Sequence, residues 1–243
     1  MKKTASPSRL LILGAGRFGR LALQRLGRRH PDAAITVVDQ APGFGRDPAF
    51  RGCETVEADG VDYLVEAMQA KTAADWIVPA MPIHVAWRWM KKDLIAAGRR
   101  VVDLPVPEAA AARVPHPLRG DHGQLYASNA DFICPDDCPE PERFCTVTGK
   151  PRPVVMFAHL AALRIPGFAA VVVRSRQLAP GVGGYRPAEL RQAQAAALAA
   201  ADAVLLATAC KCHAVIDAFR IDSQYAPSWA WEALPRKREQ QKP

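Results

Sequence analysis

The sequence predicts an α/β protein built on a parallel sheet, and three observations predict it. Short apolar runs alternate with helix-patterned segments from Arg9 to Leu104. The first run, Leu10-Leu11-Ile12-Leu13, ends in Gly14-Ala15-Gly16-Arg17-Phe18-Gly19, a G-x-G-x-x-G turn that opens a helix. The second, Ile35-Thr36-Val37-Val38, ends in the acid Asp39. Together these are the dinucleotide-binding fingerprint in its strand, turn, helix, strand and acid context.

Each residue of the fingerprint has an expected task. Gly14 permits the tight turn, Gly16 lets a diphosphate approach the main chain, and Gly19 lets the helix pack on the strand. The amides near Arg17 and Phe18 point at the phosphates from the positive end of the helix dipole. The Asp39 carboxylate accepts hydrogen bonds from an adenosine ribose and opposes a 2′-phosphate, which favours NAD. Arg46 and Arg51, downstream, leave NADP open. A turn that has lost its ligand, S-adenosylmethionine and a free nucleotide are the other readings of this pattern.

The elements follow in order. Strands are expected over 9–13, 34–39, 54–58, 75–80 and 100–104, the last as the fifth strand of the parallel sheet. Helices are expected over 17–29, ended by Pro31, over 62–70, and over 82–97, ended by Gly98. Between the second and third strands, residues 40–52 form a long Gly- and Pro-bearing loop. The N-terminal dinucleotide-binding part is thus placed at 1–107, a linker at 108–123, a smaller cysteine-bearing α+β part at 124–234 and a basic tail at 235–243. Within the second part, strands are expected over 154–159, 169–174, 203–207 and 216–221, a flexible loop over 178–184 and a helix from Pro187 to about Ala201. Trp229, Trp231 and Leu234 are expected to dock before the tail.

Leu11 to Arg20, with Thr55-Val56-Glu57-Ala58-Asp59 and Leu64-Val65-Glu66-Ala67, resembles the nucleotide-binding domain of TrkA-N potassium-transport regulators. Ala74 to Ala86, then Ala97 to Asp103, is also similar to saccharopine-dehydrogenase-like and Gfo/Idh-like oxidoreductases. The resemblance covers about residues 9–107 and implies a Rossmann-type sheet that binds NAD(P). Asp103-Leu104-Pro105 stands where Gfo/Idh enzymes carry a catalytic Glu-Lys-Pro, and the second glycine-rich domain of TrkA-type regulators is absent.

Composition excludes several classes. The net charge of +8 holds three positive charges in residues 1–9 and three in 235–243, so the body carries little, and no basic stripe is interleaved with aromatics. Nucleic-acid binding is therefore not expected. No apolar run is long enough to span a bilayer, and no signal peptide is read, so a cytoplasmic protein without membrane insertion is expected. A homo-oligomer stays open.

Five of six cysteines fall in two groups: Cys134-Pro135-Asp136-Asp137-Cys138 with Cys145, and Cys210-Lys211-Cys212-His213. Thiolates gathered on turns suit zinc or an iron–sulfur cluster, three from the first group joined by Cys210 or Cys212. Inert reduced thiols and a redox pair are the competing readings. The spacing matches no standard zinc or ferredoxin pattern, and Asp136 and Asp137 put negative charge near the first group, which favours a cationic metal. Cys53 stands alone and reads as structural.

Among other polar residues, His84 follows the fourth strand and Asp103 ends the fifth, at the carboxyl edge where ligands of such sheets sit, and the two are the catalytic candidates. The competing reading of His84 is a hydrogen-bonded structural histidine. Lys150, and Tyr185 with Arg186 at a helix start, are candidates for anion binding. No Ser-His-Asp or H-E-x-x-H arrangement is present. The sequence thus predicts an NAD(P)-binding oxidoreductase acting on a small molecule or an electron-transfer partner. The alternative is a non-catalytic NAD(H)-sensing regulator.

Overall fold

The computed structural model describes residues 7–70 and 74–222. Trp229, Trp231, Leu234 and the basic tail lie outside the described residues. Strand β1 (Arg9–Leu13) turns through Gly14–Gly16 into helix α1 (Arg17–Arg29). Then come β2 (Ala34–Asp39), β3 (Glu54–Glu57), α2 (Gly60–Gln69), β4 (Trp76–Pro79) and α3 (Val85–Ala96). The loop between β2 and β3 is built on two 3-10 turns, Phe44–Arg46 and Pro48–Phe50. The four strands form a parallel sheet in the order β3-β2-β1-β4, the order of a Rossmann half-sheet.

Beyond α3 the chain runs through β5 (Arg100–Leu104), α4 (Glu108–Ala111), β6 (Leu118–Arg119), β7 (Leu125–Ser128) and α5 (Met156–Ala161). It continues through β8 (Phe168–Arg174), the hairpin β9 (Arg176–Ala179) and β10 (Val182–Gly184), α6 (Pro187–Ala199), β11 (Ala203–Ala209) and β12 (His213–Asp222). A second sheet runs β6-β7-β12-β11-β8. The ten-residue β12 pairs with β7 through His213–Ile216 and with β5 through Ala218–Asp222. The molecule is therefore α/β, with a parallel sheet and a second, cysteine-bearing mixed sheet.

Four local expectations change. Arg100–Leu104 is not a fifth parallel strand but runs antiparallel to β12. The free edge of β4 is already occupied, because Ile77 N donates to Tyr185 O (2.9 Å) and Tyr185 N to Ile77 O (3.0 Å). The expected strand at 154–159 is the helix α5: Val155 is extended, and the Met156 and Phe157 amides donate to Lys211 O and Cys210 O. The expected flexible loop at 178–184 holds the β9–β10 turn, with Gly181 at φ 65°. Residues 108–123, expected as a linker, carry α4 and β6 and bury Ala110, Ala111 and Val114.

Packing explains the layering. One face of the parallel sheet (Leu11, Leu13, Val38, Ile77) meets α2, α3 and α6. The far side of those helices meets Val171, Val173, Leu206 and Phe219 of the second sheet, all in one core. The other face of the parallel sheet holds α1 through Ala22 and Leu26, and the hairpin through Ala179 and Val182. The outer face of the second sheet is covered by α4 and α5. Among the described residues, no helix is long and apolar enough to cross a membrane.

Trp87 of α3 stacks on Phe219 of β12 with ring centroids 4.2 Å apart. Phe219→Ala is expected to lower stability by about 3–5 kcal/mol, the range for deleting a buried aromatic ring. Urea unfolding followed by far-UV circular dichroism and by tryptophan fluorescence checks it. Both signals are expected to shift together, because the stacked pair sits in the core that the two sheets share.

Candidate functional site

The glycine turn has the shape the fingerprint requires. Gly14 sits at φ 106°, and a Cβ there would stand 2.8 Å from the Ala80 carbonyl oxygen. A Cβ on Gly19 would strike the Gly14 carbonyl oxygen, so only glycine lets α1 lie this close to β1. A Cβ on Gly16 would meet nothing within 4 Å, so the main chain there faces open space. The first turn of α1 has no acidic residue and no side-chain cap. Its amides, those of Arg17 and Phe18 among them, have no partner within the helix.

Asp39 is fixed beside this turn. Its carboxylate accepts from Ala15 N (2.6 Å) and Ala41 N (2.8 Å). Its register partner on β3 is Glu57, whose carboxylate accepts from Gly43 N (2.8 Å). Two acids thus stand side by side at the end of β2 and β3. Arg46 and Arg51 are exposed on the following loop.

His84 is buried at the N-cap of α3. Its Nδ1 lies 2.6 Å from the Asp217 carboxylate and its Nε2 2.8 Å from the Thr208 hydroxyl. Both ring nitrogens are engaged, and the residue ties α3 to β11 and β12. A polar cavity of about 150 Å³ lies beside it, lined by His84, Asp217, Arg88, Lys91 and Asp103. Asp103 is ion-paired with Lys91. The two catalytic candidates therefore share one cavity, His84 from the start of α3 and Asp103 from β5.

Tyr185 and Arg186 do not make an anion site. The Tyr185 ring is fully buried, and desolvation drives its hydroxyl far above the ordinary tyrosine value. The Arg186 amide donates to Glu189 Oε2 (2.9 Å), its guanidinium lies over the Trp76 ring, and Glu189 also pairs with Arg176. Lys150 contributes its carbonyl, which accepts from Cys145 N (2.9 Å). Cys53 sits apart, its thiol 3.0 Å from Phe50 O.

Both cysteine groups open onto one cavity of about 460 Å³. Cys134, Cys138 and Cys145 line it from one loop, and Cys210 and Cys212 from the β11–β12 turn. Phe18, in the first turn of α1, completes the wall nearest the glycine turn. The cysteine loop is latched to that helix: Asp136 is ion-paired with Arg17, and Arg25 Nη1 donates to the Asp136 carbonyl (2.6 Å). The hairpin holds the same loop, since Gly181 N (3.0 Å) and Gln177 Nε2 (2.6 Å) donate to Cys138 O. Among the described residues, no three His, Cys, Asp or Glu side chains converge tightly enough to hold a single metal ion.

The thiols differ in environment. Burial, then the charges of Cys138, Cys212 and Cys145, push the Cys134 thiol up. The Thr148 and Val147 amides and the Thr148 hydroxyl hold Cys145 below its ordinary value. Burial and the Glu140 carboxylate push Cys210 up to about 12, against the Cys212 and His213 amides that donate to its sulfur. Cys212 is also raised by burial, while Arg152 Nε donates to its sulfur (2.8 Å). His213 stands 3.5 Å from Cys134 Sγ, and burial lowers its pKa. His213 was legible as the end of Cys-Lys-Cys-His. Arg152, Glu140 and Asp217 carry no local signal, because their partners are 60 or more residues away.

Comparison with known proteins follows this geometry. A family model described as "Uncharacterized protein, C-terminal domain" (AF_1314_C) matches residues 86–222. The chain belongs to this family. The matched stretch begins in α3 and includes the second sheet and all five cavity cysteines. A protein of Archaeoglobus fulgidus, described as "Uncharacterized protein", is 29% identical over 223 residues, covering 86% of this chain and 98% of that protein.

The thiol environments predict an order of alkylation in metal-free protein. Iodoacetamide near neutral pH is expected to modify Cys145 first, because more of it is thiolate, and Cys210 last, because burial favours its protonated form. Peptide mapping by mass spectrometry over time checks the order. Raising the pH toward 9 is expected to speed Cys134 and Cys212 more than Cys145.

Proposed function

We propose that the chain is an NAD(P)-binding oxidoreductase with a zinc or iron–sulfur centre in its cysteine cavity. The observation that carries the dinucleotide half is the open main chain at Gly16, at the uncapped start of α1, beside the anchored Asp39 carboxylate. A diphosphate fits the first feature and a ribose the second. The pairing of Asp39 with Glu57 supports NAD over NADP, since a 2′-phosphate would meet two carboxylates. A bound nicotinamide supplies hydride transfer. The polar cavity of His84, Lys91 and Asp103, beyond the end of β4, has the size for a small polar substrate. In it His84 holds the Asp217 carboxylate in place, and Lys91 offers a cation to a substrate that displaces Asp103.

A second reading has its own support. The Arg17–Asp136 pair links the first turn of α1 to the cysteine loop, which suits a non-catalytic NAD(H) sensor whose nucleotide and thiol sites feel each other.

Calorimetric titration with NADH and NADPH tests the dinucleotide half. Tighter binding of NADH is expected. Gly16→Val, whose side chain enters free space, is expected to keep the fold and weaken NADH at least tenfold, about 1.4 kcal/mol. Equal affinity in wild type and Gly16→Val would reject the site. Binding without turnover of aldehydes, imines or hydroxy acids would favour the sensor.

A further inference from the structure

The cysteine cavity has features that choose among its candidate occupants and ligands. A tetrahedral zinc holds each sulfur at about 2.3 Å, which draws four sulfurs to within about 4 Å of one another. Here five thiols open onto one cavity of about 460 Å³, more space than a single ion fills and enough for a polyatomic centre. The walls between the sulfurs are largely apolar, with Phe18, Phe132, Val147 and Val182 among them. Apolar lining of this kind suits a cluster held by thiolates.

Electrostatics sorts the five thiols. Four thiolates leave a centre with net negative charge, so nearby cations support it and carboxylates oppose it. Arg152 donates from Nε to Cys212 Sγ at 2.8 Å. The Glu140 carboxylate, held by the Lys211 amide (2.7 Å), acts on both sulfurs of this turn, but only Cys212 has Arg152 to offset it. The sulfur of Cys210 accepts from two main-chain amides, Cys212 N (3.3 Å) and His213 N (3.2 Å), which shape the turn between β11 and β12, and among the described residues no arginine or lysine donates to it. The acids of the Cys-Pro-Asp-Asp-Cys segment do not oppose a negative centre, because α1 answers them. Asp136 is paired with Arg17, and Asp137 lines a surface cleft with Arg25, Arg28 and Arg29.

We infer that Cys134, Cys138, Cys145 and Cys212 ligate an iron–sulfur cluster in this cavity, while Cys210 remains a thiol that caps the β11–β12 turn. The inference rests on the metal-bearing half of the reading above and is independent of the dinucleotide half. Three ligands come from one loop and the fourth from a turn more than sixty residues later. The cluster therefore fastens the loop to the second sheet. Arg152 is a positioning residue that holds the Cys212 sulfur through its guanidinium.

The test is anaerobic reconstitution of the full chain with ferric iron, sulfide and a thiol reductant, in parallel with zinc alone. Broad visible absorption with iron and sulfide in equal amounts is expected. That absorption is expected to be lost in Cys134→Ser, Cys138→Ser, Cys145→Ser and Cys212→Ser, and kept in Cys210→Ser, whose hydroxyl still accepts the two amides. Far-UV circular dichroism and NADH calorimetry on each variant separate loss of a ligand from loss of the fold. Arg152→Lys is expected to retain more of the cluster than Arg152→Ala. One zinc per chain with no uptake of sulfide would overturn the cluster and leave the metal-bearing reading. Uptake of neither would overturn both. Loss of absorption in Cys210→Ser with retention in Cys212→Ser would overturn the ligand assignment.

Discussion

Two main-chain hydrogen bonds between Ile77 and Tyr185 determine how the molecule is put together. They seat the β9–β10 hairpin on the edge of the parallel sheet beside β4, where a further strand could have joined. With that edge closed, β5 turns away and pairs with β12. The hairpin then lies under α1, with Ala179 and Val182 in the same core as Ala22 and Leu26. From there Gly181 and Gln177 grip the carbonyl of Cys138. The position of the cysteine loop against the helix that begins at the glycine turn thus follows from one short piece of pairing. Tyr185 is correspondingly enclosed, with its hydroxyl lacking a hydrogen-bond partner among the described residues.

The first half of the fold was legible because its signals are local. Strand bounds at Arg9–Leu13 and Ala34–Asp39, and helix bounds at Arg17–Arg29, follow from periodicity and from glycine and proline. The fingerprint was legible for the same reason, since its turn, helix and acid lie within thirty residues of one another. The fate of Arg100–Leu104 was not, because its apolar pattern suits either sheet and the choice depends on a hairpin eighty residues later. Val154 and Val155 read as strand by their branching, yet the segment is helical from Met156, where its leading amides find carbonyls on the β11–β12 turn.

The candidate sites divide in the same way. Clustering of cysteines was visible as spacing, whereas their opening onto a single cavity is a property of two sheets brought together. His84 shows the limit most plainly: its place after β4 was readable, but its partners Thr208 and Asp217 lie 124 and 133 residues away. The acids at positions 136 and 137 give the opposite lesson. Counted along the sequence they put negative charge beside the thiols, whereas in space the arginines of α1 offset it.

The central position of β12 also bears on how the chain is made. On the ribosome, β5 emerges more than a hundred residues before the strand it pairs with. Until then Trp87 of α3 lacks the Phe219 ring on which it stacks in the finished core. Such late, long-range pairing slows folding and prolongs exposure of sticky surface. The glycine turn and its helix are likewise translated early, yet the hairpin that packs on them through Ala179 and Val182 is made some hundred and fifty residues later.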